Sequence, residues 1–75
     1  MTNAEKKIRF ILSVADYMAN ARGNGMYRLA NGQNEESDIH FARENAWKNI
    51  LKKALEVSDQ DFSVDLFRKD VDNIS

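Results

Sequence analysis

The chain has 75 residues, 11 basic and 12 acidic side chains for a net charge of −1, 43% hydrophobic residues and no cysteine, which describes one small globular domain, residues 1–75. The lack of cysteine excludes disulfides and thiolate metal sites, so a chain this short must complete its core by close helix packing or by self-association. The near-neutral balance argues against a blanket nucleic-acid binder, and the short apolar runs and the start Met1-Thr2-Asn3-Ala4-Glu5 predict neither a membrane span nor a signal peptide, hence a cytoplasmic protein.

Thr2, followed three residues later by Glu5, reads as a capping box that opens helix one. Over residues 4–22 the apolar side chains fall in two adjacent stripes at helical spacing. Ala4, Ile8, Ile11, Ala15 and Met18 form the first; Phe10, Val14, Tyr17 and Ala21 form the second, and Leu12 and Ala19 widen the far edge. Only Glu5, Lys6, Arg9, Ser13, Asp16 and Asn20 leave a polar face. A helix dressed this way must be surrounded. Helix two is expected to cover one stripe and helix three part of the other, which leaves Phe10, Val14, Tyr17 and Ala21 to face another copy or a partner.

Gly23-Asn24-Gly25 predicts the end of helix one after Arg22, because glycine enters the left-handed conformation of a helix C-terminus at little cost. Asn31-Gly32 is a second turn signal, but Gln33-Asn34-Glu35-Glu36 has no β-branched or aromatic residue to make a partner strand. Residues 23–35 therefore read as an ordered loop that presents Met26, Tyr27 and Arg28 as an interaction site, since Tyr and Arg often anchor interfaces. The plainer reading has Met26 or Leu29 plugging the core with Tyr27 lying across it.

Helix two is expected over residues 36–57, with Ser37 or Asn34 near its start and Ile39, Ala42, Ala46, Ile50, Ala54 and Val57 at helical spacing. Trp47, Leu51 and Leu55 extend that face. On the other side Phe41, Asn45, Lys48, Asn49 and Lys52 form a second candidate surface, suited to an acidic protein or a nucleic-acid backbone unless Phe41 packs against the preceding loop. Residues 58–62 are a short acidic connection. Ser63 then caps a third helix in which Val64, Phe67, Val71 and Ile74 recur at helical spacing. The sum is an all-α bundle of two long helices and one short C-terminal helix, with a Gly/Asn-containing loop between the first two.

Motifs for catalysis are missing. There is no glycine-rich phosphate loop with its lysine, no paired-histidine zinc motif and no nucleophile elbow, and His40 is the only histidine. No enzymatic activity and no cofactor are expected. Glu36, His40 and Glu44 share a helix face but supply too few metal ligands. Asp59, Asp61, Ser63, Asp65 and Asp70 match positions 1, 3, 5, 7 and 12 of a calcium loop, yet Val64 stands where that loop needs glycine. No metal is expected. The expected function is that of a homo-oligomeric adaptor or inhibitor docking on a larger protein, of the kind carried by phages and mobile elements. Two alternatives are a nucleic-acid regulator using Lys6, Lys7, Arg9, Asn45, Lys48, Asn49 and Lys52, and an oligomer holding a small ligand between subunits near Tyr27, Arg28 and His40.

Overall fold

The computed structural model describes residues 1–74. It is all-α: helix α1 (Asn3–Ala30), helix α2 (Asn34–Glu56), a 3-10 turn (Val64–Phe67) and a short helix α3 (Arg68–Ile74). The capping box starts α1 as its spacing predicts. The Glu5 N–H donates to Thr2 Oγ1 at 3.1 Å and the Thr2 N–H donates to Glu5 Oε1 at 3.2 Å, which satisfies amides that the first turn leaves open.

Helix α1 does not stop at Arg22. It runs through Gly23 and Gly25, neither of which has a positive φ, and ends at the Asn31-Gly32 pair instead. There Gly32 takes φ 74, its N–H donates to Leu29 O at 3.1 Å, and the Gln33 N–H donates to Arg28 O at 2.9 Å. That paired bonding is the Schellman stop, for which a left-handed glycine is the usual residue. The expected loop over 23–35 shrinks to residues 31–33. An interior glycine costs about 1 kcal/mol of helix stability. At Gly25 the missing side chain is what α2 requires, because an added Cβ would stand 2.7 Å from the Phe41 ring.

The short connection folds α2 back antiparallel to α1. Lys7 lies beside Val57, Tyr17 against Trp47 and Gly25 against Phe41. Apart from Phe10, the residues of α1 that lose solvent are Ala4, Lys7, Ile11, Val14, Met18, Ala21, Gly25 and Arg28, spaced alternately three and four apart. This is the 3.5-residue repeat of helices that interlock at a shallow angle. It cuts diagonally across the two stripes expected from a 3.6-residue period. Val14 and Ala21 are accordingly core, 1% and 2% exposed, and the expectation that they face a partner is corrected.

Phe10 and Tyr17 border the same seam and also make contacts within the chain, Phe10 half-buried and Tyr17 still 52% exposed. The Phe10 ring lies 5.7 Å from Phe62 and 5.0 Å from Phe67, and Tyr17 stacks on Trp47 at 4.7 Å with an interplanar angle of 19°. The 3-10 turn and α3 thus close one side of the hairpin at its N-terminal end. The Asp65 N–H donates to Ser63 Oγ at 3.3 Å, which caps the turn, and Lys53 pairs with Asp70 at 3.1 Å between α2 and α3. The hairpin extends far beyond this cover, for the molecule measures 46 × 19 × 17 Å.

The start of α2 also differs from expectation. Gln33 is its N-cap without a side-chain capping bond, while Ser37, 1% exposed, lies inside the helix. Among the described residues Ser37 Oγ has no hydrogen-bond partner, and neither do the buried His40 Nδ1 and Trp47 Nε1.

Candidate interaction surfaces

Two long helices and one short cap cannot hide all the apolar residues of this chain. Among the described residues the buried apolar core has seven members, two of them alanines, whereas eleven large hydrophobic side chains stay about half exposed or more. Their placement defines three surfaces.

The first lies on α1, on the side turned away from the 3-10 turn and α3. Ile8 and Leu12 are 58% and 60% exposed, and Ala15 and Ala19 continue the line, also exposed. Phe10, on the opposite side of this helix, is the residue that meets the C-terminal cap. Among the described residues no element covers the Ile8 side. Leu55 of α2 is exposed on the same side, since helical spacing sets it opposite the Ile50 and Lys53 flank that α3 meets.

The second surface is the last two turns of α1. Met26 and Tyr27 are 55% and 66% exposed, and Leu29, one turn on from Met26, is exposed as well. Met26, Tyr27 and Arg28 are not on the loop expected over residues 23–35: all three are helical. Arg28 is half-buried, and its Nη1 donates to Gln33 Oε1 at 2.8 Å, so it fastens the chain reversal while Tyr27 points outward.

The third is an open groove of about 560 Å³ between α2 and α3, lined by Ile39, Ala42, Ala46 and Ile50 and closed at its polar rim by Asn49, Lys53 and Asp70. Ile39 and Ala42 were expected to pack on helix one. They are exposed, because Phe41 lies on the side of α2 that meets α1 and helical spacing turns Ile39 and Ala42 away from it.

The helix-two surface separates into parts. Phe41 is half-buried against Gly25 and leaves the solvated face, Asn49 turns into the groove, and Asn45, Lys48 and Lys52 remain exposed. A nucleic-acid face would also lose Lys7. Its ammonium donates to Val57 O at 2.7 Å and pairs with Asp59 at 3.2 Å, with 15% of the side chain exposed. The acidic residues of the calcium-like pattern are dispersed among separate partners: Asp59 with Lys7, Asp61 with Ser58, Asp65 with Arg68 and Asp70 with Lys53. Among the described residues no three histidine, aspartate or glutamate side chains gather as a metal site would need. Among the described residues no helix is long and apolar enough to cross a membrane.

What these surfaces offer is apolar contact area flanked by charge. No protein-family model, no curated protein and no solved structure matches the chain.

Proposed function

We propose that this chain is a non-enzymatic helical binding protein, an adaptor or inhibitor that docks its exposed apolar side chains on a larger protein. The supporting observation is the imbalance between seven buried apolar residues and eleven exposed large ones. Single exposed apolar residues are ordinary on a soluble protein, whereas neighbouring ones on a rigid helix mark contact surfaces. Met26 and Leu29, one turn apart, meet that description, and Tyr27 flanks Met26. They sit on the last turns of α1, held in place by the Schellman stop and by the Arg28 to Gln33 bond, and an aromatic anchor on a rigid element loses little entropy on binding.

A benzophenone amino acid placed at position 27 tests this reading. It should cross-link the chain to one discrete partner in lysate of the source cell, and the double substitution Met26→Ser, Tyr27→Ala should abolish capture of that partner at unchanged helicity. Smeared cross-linking, or capture that survives the double substitution, would remove the α1 terminus from the function.

A further inference from the structure

The uncovered side of α1 carries a second seam, and its pattern specifies what fits against it. Glu5, Ile8, Leu12, Ala15, Ala19 and Arg22 are spaced alternately three and four apart and all are exposed. This repeats the rhythm of the seam that holds α2, roughly 100° further around the same helix. The two bulky residues occupy the N-terminal half and the two alanines the C-terminal half. An acid stands at one end and a base at the other.

We infer that this seam binds a second copy of the chain, with the two α1 helices antiparallel. When the helices are set so that Leu12 opposes the partner copy's Ala15, Ile8 falls opposite Ala19 and Glu5 opposite Arg22. Every layer then matches large with small, or negative with positive. Parallel pairing in register instead sets alanine against alanine, which leaves gaps, and puts the like charges of Glu5 and of Arg22 together.

The edge of the seam adds an independent match. Arg9 and Asp16 lie two turns apart on the edge away from α2, both exposed and, among the described residues, neither in an ion pair. In the antiparallel register that aligns the layers, Arg9 of one copy comes beside Asp16 of the other, twice by symmetry. Edge charges of this kind choose the partner and orientation of paired helices. Glu5 remains available, because its capping box is made through one carboxylate oxygen, Oε1. The inference rests on reading exposed apolar area as contact surface, and it assigns one face of that area to self-pairing.

The test is the molar mass of the full-length chain by light scattering at micromolar to hundred-micromolar concentration. The expected mass is twice the 8.6 kDa of one chain. Leu12→Glu should weaken self-association at least tenfold while circular dichroism stays that of the parent. Arg9→Glu and Asp16→Arg should each weaken it, and the two together should restore it, a rescue that a foreign partner or another face would not give. Because Arg9 and Asp16 are exposed and unpaired, that series does not depend on how the Leu12 variant folds. A monomer throughout the range, a dimer indifferent to Leu12→Glu, or a double variant no better than its parents would each overturn the pairing. A monomeric result would leave the docking proposal standing, because the cross-link at position 27 is read without self-association.

Discussion

At Gly25 the Phe41 ring fills the volume that any side chain would need. A Cβ there would meet Phe41 Cε1 at 2.7 Å and Cδ1 at 2.9 Å, whereas a Cβ on Gly23, two residues away in the same helix, would meet nothing within 4 Å. The two glycines therefore predict opposite signs for one substitution. Gly23→Ala gains helix propensity at no steric cost and should stabilise the chain by about 1 kcal/mol. Gly25→Ala gains the same propensity but displaces the ring, and overpacking of that kind costs about 1–3 kcal/mol, so the variant should be less stable than the parent. Thermal unfolding followed by circular dichroism reads both, since about 1 kcal/mol moves the midpoint of a domain this size by ~4–8 °C. If Gly25→Ala melted higher than the parent, the close approach of Phe41 would not be a constraint.

At the scale of elements, the turn at residues 31–33 shows what a single sequence reveals and what it hides. Asn31-Gly32 was legible as a stop, and Thr2 with Glu5 as a start, because both signals act through backbone bonds within a few residues. Gly23 and Gly25 offered the same local signal and were misleading: whether a glycine ends a helix or admits a neighbour depends on a ring sixteen residues further along the chain, at Phe41. The helix-one stripes were misassigned for a related reason. The apolar positions of α1 were visible, but the 3.5-residue register that buries Val14 and Ala21 is set by pairing with α2, so Ile8 and Leu12 were exchanged with Phe10 as the face left open. The true stop yields its own prediction. Gly32→Ala forces a side chain into φ 74 and should cost about 1 kcal/mol, seen as a lower urea midpoint at unchanged slope, while Asn24→Ala, exposed within α1, should not lower it.

At the scale of the molecule, a long hairpin is closed at one end only, and the closure is aromatic. Phe10, Phe62 and Phe67 lie with ring centroids 5.0 to 5.9 Å apart, and through them the 3-10 turn and α3 are joined to α1. Phe62 and Phe67 are two of the seven buried apolar residues, at 4% and 2% exposure, so they supply a disproportionate share of the core. Removing a buried phenylalanine costs about 3–5 kcal/mol, comparable with the ~3–5 kcal/mol that one core of this size provides. Phe67→Ala should therefore abolish the cooperative thermal transition at low concentration, while Leu66→Ala, one residue away and 56% exposed, should stay within about 0.5 kcal/mol of the parent. Concentration then tests the same balance from outside the chain. If copies pair through Ile8 and Leu12, folding is linked to association and the parent's midpoint must rise with protein concentration. Part of the transition lost in Phe67→Ala must return as the concentration increases, because the second copy covers the side of α1 opposite the aromatic cluster. A midpoint independent of concentration in both chains would mean that the seven-residue core stands alone.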